Sequence, residues 1–305
     1  MPKKIILIAG PTASGKSKIA IEIAKKIKGE IINADSMQVY KEFSVLSSRP
    51  TKIDLKKVKH HLYGFQPAKK IFSTGVWLKL VKKQINFCLK NKKIPILVGG
   101  TGLYFEAITK GMSKIPHINY KVRNKIRALQ KKLGQKKFYE KLLKLDPLIK
   151  NKIEPFDTQR SIRAYEVKKI TKKSIFEWYK LTKSEFKQFQ IFKIFIDTPR
   201  EKLLKNISQR TDQMFEDDCI KEVKFFSGLS IDPSLSANKI IGVREIKDFL
   251  SCVLSLSQAK ELINIKTRQY AKRQVTWARG HMLDWDKQYS NSFTSLSKKI
   301  LKVVS

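Results

Sequence analysis

Three cysteines in 305 residues, Cys88, Cys219 and Cys252, are few, odd in number and widely spaced, with no C-x-x-C pair. That pattern argues against a disulfide framework and a thiolate zinc site, and fits a reduced, cytoplasmic compartment. No apolar run approaches the ~18 residues of a membrane span, so no membrane partner is expected. Met1-Pro2-Lys3-Lys4 leads straight into a strand-like run, without the small-residue cleavage site of a secretory signal. Acidic residues are scarce as well: 26 Asp and Glu stand against 64 Lys and Arg, a formal net charge of +38. Such a field attracts polyanions, which puts nucleic acid among the expected partners; an AT-rich genome would inflate Lys, Ile and Asn in the same direction. The length suffices for one large or two modest domains with a real core.

What is present is sharper. The apolar run Ile5-Ile6-Leu7-Ile8-Ala9 is followed by Gly10-Pro11-Thr12-Ala13-Ser14-Gly15-Lys16-Ser17, the pattern G-x-x-x-x-G-K-[ST] between a buried strand and an amphipathic helix. The glycines let the backbone wrap with its N–H groups inward, and the helix N-terminus adds partial positive charge. Lys16 can reach phosphate oxygens, and the Ser17 hydroxyl can ligate Mg²⁺. A di- or triphosphate is the expected ligand.

Strand and helix patterns alternate from there: strands at Lys3–Ala9, Glu30–Asn33 and Lys93–Val98, helices at Gly15–Ile27 and Gly75–Leu89. This is the β-α-β order of a parallel, doubly wound α/β sheet of the P-loop NTPase kind. The third strand ends in Gly99-Gly100-Thr101-Gly102 before another helix, a loop expected beside the phosphate loop at the carboxyl ends of the strands. His60 and His61 precede a strand-like Leu62–Phe65. After Gly111 the chain reads as Lys-rich helix after helix with breaks at Gly134, Pro147 and Pro155, until a strand resumes at Phe189–Asp197. The expected organisation is a core of residues 1–113 and 188–305, carrying C-terminal helices, interrupted by a helical insertion domain at 114–187. A long helix is predicted from Ser257 to about Arg279.

Asp35 closes the second strand, where a carboxylate can hold Mg²⁺ through water or act as a general base; a helix N-cap is the plainer alternative. Thr101 can donate to a phosphate or leaving-group oxygen, or simply cap its helix. His60 and His61 are read as structural. Asp157 is a plausible N-cap for a helix carrying Gln159, Arg160 and Arg163 on one side. Arg in a Lys-preferring chain, next to Gln, suggests planar recognition of phosphates or bases, against the alternative of a solvated face. At about 3.6 residues per turn, Arg268, Lys272, Thr276 and Arg279 form one cationic stripe while Ala271, Val275 and Ala278 turn inward.

Taken together these motifs resemble the bacterial tRNA dimethylallyltransferases, also called tRNA isopentenyltransferases. The matching segments are G-P-T-A-S-G-K-S at 10–17, N-A-D-S-M-Q-V-Y at 33–40, H-H-L at 60–62, L-V-G-G-T-G-L-Y at 97–104, D-x-Q-R-x-x-R-A at 157–164 and T-R-x-Y-A-K-R-Q-x-T-W-x-R at 267–279. They occur in family order over nearly the whole chain. The resemblance implies transfer of a dimethylallyl group from dimethylallyl diphosphate to N6 of the adenosine immediately 3′ of the anticodon, in tRNAs reading codons that begin with U, with Mg²⁺ required. It implies Asp35 as the group that takes the N6 proton and Thr101 as the contact to the bridging oxygen of the leaving diphosphate. It further implies tRNA contacts at Asp35, Ser36, Met37, Gln38, Thr101, Arg123, Gln159, Arg160, Ser161, Ile162, Arg163, Arg268, Lys272 and Arg273. The expected partner is the anticodon stem-loop, and the expected state a monomer. Two segments depart from the family pattern: Ser44–Pro50, and Val243 in place of an aromatic.

Two rivals share the phosphate loop. A small-molecule or nucleotide kinase explains Lys16 and Ser17 but not the Arg-rich helices. A nucleic-acid-dependent ATPase needs an acidic strand end, which Ile194-Phe195-Ile196-Asp197 mimics only weakly before Pro199.

Overall fold

A computed structural model describes residues 3–289 and 293–304; Met1 and Pro2, read above as the approach to the first strand, lie outside that range. The chain forms two compact units, one of Met1–Ala107 with Phe186–Ser305 and one of Ile108–Glu185.

The first unit is built on a six-stranded sheet. Its strands are β1 (Lys4–Ala9), β2 (Gly29–Asn33), β3 (His60–His61), β4 (Ile94–Gly99), β5 (Gln190–Ile196) and β6 (Asp286–Gln288), in the order β3-β2-β4-β1-β5-β6. Every pairing is parallel. The fold is therefore the doubly wound α/β class expected from the sequence. Beyond their first residues, strands β1 and β4 are apolar and buried because helices cover both faces, which removes the polar alternation of a one-sided sheet. Ile6, Ile8, Ile31, Ile96 and Ile194 pack against Ile19 and Ile23 of the Lys16–Lys26 helix.

The central strand β1 has β4, β2 and β3 on one side and β5 and β6 on the other, so the winding direction reverses there, where such sheets bind ligands. The phosphate loop leaves the sheet at that point. Trp77, on the helix Thr74–Lys90, is fully buried; its indole N–H donates to the Asn33 carbonyl at 2.9 Å and its ring stacks on Tyr104 at 4.0 Å. These contacts fix the carboxyl end of β2, from which Asp35 follows.

Two local expectations need amending. Leu62–Phe65 is not a strand: His60 and His61 are the strand, and Leu62 (φ 62°) and Gly64 (φ 54°) turn the chain away. The three-residue β6, polar and at the sheet edge, falls in a stretch read as helical.

The second unit is helical. Tyr120–Leu145 is interrupted by Gly134 (φ 73°, ψ 167°), followed by a short turn of helix at Pro147–Ile149 and by helices Thr158–Thr171 and Ile175–Lys180. Its own core gathers Ile126, Phe138, Leu142, Ile149, Ile162 and Tyr165.

Candidate functional site

The phosphate loop has the backbone its sequence demands. Gly15 (φ 81°) takes the left-handed conformation at the helix N-cap, and Ala13 (φ 63°) takes it without being glycine. Ala13 is held there by the Asn206 side-chain amide, which donates to its carbonyl at 2.9 Å. The Arg210 guanidinium donates to Thr12 Oγ1 at 2.7 Å, and Lys16 Nζ donates to the Pro11 carbonyl at 3.1 Å. Desolvation lowers the Lys16 pKa to about 8, with Asp35 opposing the shift and Arg210 adding to it. Arg210 is likewise pushed down by burial, and its Nε and the Ser14 hydroxyl are buried without a partner among the described residues. Two half-buried cations and an unsatisfied hydroxyl around a wrapped loop make a candidate cradle for a polyphosphate. Arg210 comes from the Arg200–Glu216 helix, and no motif in the sequence announced it.

Asp35 stands beside this cradle. Its backbone N–H donates to Asn33 Oδ1 at 2.8 Å, and its own Oδ1 accepts from the Met37 N–H at 2.9 Å. The carboxylate thus caps a tight turn and still acts on its surroundings. Burial first, and then the Asp35 charge, push the phenols of Tyr63, Tyr104 and Tyr270 above their ordinary range. Thr101 is joined to the same turn: its Oγ1 accepts from the Ser36 N–H at 2.9 Å and donates to Ser36 Oγ at 3.2 Å.

One residue ties the loops together from a distance. Gln274, on the Leu256–His281 helix, accepts from the Thr12 N–H at 2.8 Å and donates to the Gly100 carbonyl at 2.9 Å. That close approach explains two of the glycines in the Gly99–Gly102 loop. A Cβ on Gly100 would lie 2.1 Å from Gln274 Nε2, and one on Gly102 would lie 2.3 Å from the Trp277 ring.

Two cavities open here. One, of about 270 Å³, has the polar Asp35, Thr12 and Arg210 and the apolar Ile207, Met214 and Ile263 among its walls. The other, of about 280 Å³, is lined by Ser36, Thr101, Gln274 and Trp277; Tyr270 and Arg273 border both. Arg268 and Lys272 face elsewhere. With Thr276 and Arg279 they line a separate cleft of about 630 Å³ against the Arg200–Glu216 helix, so the helix divides residues that the sequence reading had grouped with Arg273.

The remaining sequence candidates have defined environments. Gln38 Nε2 donates to the carbonyls of Ser47 and Ser48, both at 2.9 Å, and the backbone amides of Val45 and Leu46 converge on the Glu222 carboxylate. The departing segment Ser44–Pro50 is therefore tied down by polar contacts of its own. Val243 is a core residue, buried with Phe43, Phe226 and Ile246. His61 Nε2 bonds Glu30 Oε2 at 2.6 Å, with the Cys88 thiol 3.6 Å from the same oxygen, a closed buried network at the opposite end of β2 from Asp35.

Within the helical unit, Asp157 caps its helix by accepting from the Arg160 N–H at 3.0 Å. Gln159 and Arg160 are exposed. Ser161 and Ile162 are buried, the former bonded to the Gln135 amide at 3.2 Å, so their side chains serve the unit's interior. Arg123 and Arg163 both reach the carboxylate of Glu166, at 3.4 and 3.3 Å, and Glu166 is only 1% exposed.

Comparison with known proteins finds relatives over nearly the whole chain. The family model for IPP transferase matches residues 38–281. A tRNA dimethylallyltransferase of Pelagibacter ubique is 56% identical over 299 residues, covering 98% of this chain and 96% of that protein. One of Rickettsia massiliae is 40% identical over 306 residues, covering 99% and 84%. Among solved structures, the full-length tRNA isopentenylpyrophosphate transferase of Bacillus halodurans is 28% identical with a TM-score of 0.70, covering all of this chain and 97% of that one. A eukaryotic dimethylallyltransferase acting on tRNA is 29% identical with a TM-score of 0.79, covering 90% and 70%.

Proposed function

We propose a reaction for this protein from a plain premise: the chain belongs to the IPP transferase family. It is a tRNA dimethylallyltransferase, an enzyme that moves a dimethylallyl group onto N6 of an adenosine in tRNA. In our reading the donor is dimethylallyl diphosphate and the acceptor is the adenosine immediately 3′ of the anticodon, presented by the anticodon stem-loop to a monomeric, cytoplasmic enzyme.

The observation that carries this reading is the Asp35 carboxylate beside a polyphosphate cradle, close enough to Lys16 and Arg210 to affect both. The cavity that joins Arg210 and Thr12 to an apolar wall suits an allylic diphosphate, charged at one end and apolar at the other. The exocyclic amine of adenine is a poor nucleophile, so rate must come from positioning and from stabilising the leaving group. N6 attacks the allylic C1, the C1–O bond breaks, and the electron pair leaves with the diphosphate. The loop N–H groups of residues 10–17, Lys16 and Arg210 oppose the growing negative charge, Thr101 donates toward the bridging oxygen, and Asp35 takes the proton released by N6.

We assign the Ser17 hydroxyl, exposed in the first turn of its helix, and the Asp35 carboxylate, acting through water, as the hard-oxygen donor set. That set fits Mg²⁺, which keeps several waters and binds through few protein oxygens plus phosphate. When bound, the ion would supply further charge neutralisation at the diphosphate.

The helical unit, which we assign as the insertion domain at 114–187, would contact tRNA through Arg123, Gln159, Arg160 and Arg163. Ser36, Met37, Gln38, Arg268, Lys272 and Arg273 are the proposed contacts from the core at 1–113 and 188–305. One assay tests the whole reading: labelled dimethylallyl diphosphate or labelled ATP is incubated with the protein, with and without tRNA. Prenyl label should move to tRNA. Hydrolysis of ATP stimulated by tRNA, with no prenyl transfer, would sink it.

A further inference from the structure

Phe156 is 84% exposed, although aromatic side chains elsewhere in the chain, such as Phe43, Phe105, Phe138 and Phe226, are fully buried. It directly precedes Asp157, the N-cap of the helix that carries Gln159, Arg160 and Arg163. An apolar residue at that position ordinarily folds back on the fourth residue of the helix as a hydrophobic staple. Here that residue is Ser161, which is buried and bonded to Gln135, so the ring has nothing apolar to cover.

The backbone that carries the ring is nonetheless firmly held. The Gln135 amide donates to the Pro155 carbonyl at 2.7 Å, the Asp157 N–H donates to the Glu154 carbonyl at 2.9 Å, and the Thr158 N–H donates to the Phe156 carbonyl at 2.9 Å. Ile153, three residues earlier, is buried in the unit's core. An exposed aromatic on a fixed turn can bind at low entropic cost, because only its own side-chain rotation is lost. Its surroundings choose the partner. In the sequence, exposed Gln159, and Arg160 with its side chain 74% exposed, follow it; exposed Lys150, Lys152 and Glu154 precede it, Lys152 lying over the Phe176 ring. A protein hot spot would need an apolar surround; an exposed ring on a segment where the cations Lys150, Lys152 and Arg160 outnumber the acids Glu154 and Asp157 matches an unpaired base flanked by phosphates.

We propose that Phe156 is a stacking platform for an unpaired nucleobase of the RNA, adding a salt-independent contact beside the Arg160 charge. The proposal rests on the tRNA reading above and goes beyond it by naming which chemical feature of the RNA this residue reads.

The test uses the full chain and a synthetic anticodon stem-loop, with a fully paired duplex of the same length as control. Phe156→Ala should weaken stem-loop binding by about tenfold, the usual scale for losing one base–aromatic stack. The slope of log K against log [salt] should stay unchanged, because no phosphate contact is lost. Phe156→Trp should restore affinity, with indole fluorescence quenched by the stem-loop but not by the duplex. Phe156→Leu, apolar without a ring face, should fail to restore it. Because the ring is exposed, the thermal midpoint should not move in any of these variants.

Equal binding by the Ala and unsubstituted chains, or full rescue by Leu, overturns the proposal and leaves the tRNA reading intact. Failure of the unsubstituted chain to bind the stem-loop at all overturns the tRNA reading itself. A fall in the Phe156→Ala thermal midpoint would mean that the ring packs against the protein, which also overturns the stacking role.

Discussion

Thr101 holds the turn that follows Asp35: its hydroxyl oxygen accepts the Ser36 N–H at 2.9 Å while its proton points to Ser36 Oγ at 3.2 Å. The side chain that resembles a leaving-group contact is therefore also a clasp between the β2 and β4 loops. If Thr101 is the leaving-group contact, its proton would turn from Ser36 to the diphosphate oxygen without loss of the N–H contact. Thr101→Ser should keep most activity. Thr101→Ala should lower kcat by about a hundredfold, the scale of losing one preorganised donor, and leave the pH profile of kcat in place. A shifted pH profile would mean that Thr101 acts by altering Asp35.

Asp35 serves as both cap and candidate base, and one substitution separates the two. Asn offers the same Oδ1 to the Met37 N–H, so Asp35→Asn should preserve the turn and the thermal midpoint. It should still bind tRNA within several-fold and lose turnover by about 10² or more, as expected for a missing general base. Near-normal turnover of the Asn variant would reduce Asp35 to its capping role.

Lys16 gives a pH dependence with a definite sign. Burial lowers its pKa to about 8 from an ordinary 10.5, so the free enzyme carries a charged Lys16 below about pH 8 and a neutral one above. Diphosphate affinity should be flat through pH 7 and fall as pH rises past about 8, by up to about tenfold per unit. Stability moves the other way. Between about 8 and 10.5 the unfolded chain binds the Lys16 proton and the folded one does not, so this group's contribution to stability increases with pH across that window and is lost as pH falls back through about 8. Direct titration of diphosphate from pH 6.5 to 9.5 measures the first effect. An affinity independent of pH over that range would show that Lys16 is not a principal contact.

Much of this is legible in the amino-acid sequence, for reasons that differ between residues. Runs such as Ile5–Ala9 and Ile94–Val98 are apolar without interruption because helices cover both faces of the sheet, and the glycines and lysine of residues 10–17 have the spacing of a phosphate loop, with Gly15 in the left-handed conformation that spacing predicts. Arg210 was not legible, because a single Arg on an amphipathic helix in a chain with 64 basic residues carries no pattern. Gln274 was visible only as part of a motif. Its actual task, bridging Thr12 and Gly100 across more than half the chain, is a property of the tertiary fold. The same holds for Glu30, which bonds His61, and for Cys88, whose thiol reaches that same Glu30 carboxylate; the three come from separate elements, and spacing along the sequence could not show them together. The opposed faces of the Leu256–His281 helix were half visible: periodicity gave the stripe of Arg268, Lys272, Thr276 and Arg279, but not that it lines a different cleft from Arg273.

The contact of Gly102 with Trp277 predicts a cost in stability as well as in activity. A methyl group at Gly102 would overlap the indole, 2.3 Å from the nearest ring carbon, and a rigid ring cannot yield as a flexible chain end would. Gly102→Ala should destabilise by about 1–3 kcal/mol, the range for overpacking, as read from the urea midpoint at unchanged m. An unchanged midpoint would mean that Trp277 does not pack on this loop.

The cationic helices make the last prediction, and the ion pairs sharpen it. Arg160 is largely exposed and its carboxylate neighbour is Asp157, 3.4 Å away at the helix start, a weak and water-screened pair. Arg163 is different, because its partner Glu166 is buried and also holds Arg123. Glu166 therefore fixes the direction of two guanidinium groups while their remaining N–H donors stay available for phosphate. If these residues neutralise RNA phosphates, tRNA affinity should fall steeply with salt, log K against log [salt] sloping at roughly −0.7 to −0.9 per contact. Replacing Arg160 and Arg163 together by Ala should weaken binding and flatten that slope by about one to two units, with little change in dimethylallyl diphosphate affinity. Lys131 and Lys132 are exposed on the long helix of the same unit, and neutral substitutions of both should leave the slope almost unchanged. Glu166→Gln keeps the shape but removes the buried charge. It should lower tRNA affinity without flattening the slope, because the cations remain but lose their common anchor. Equal flattening by the arginine and lysine pairs would mean that the net charge acts as a diffuse field, and that Arg160 and Arg163 hold no defined place on the RNA.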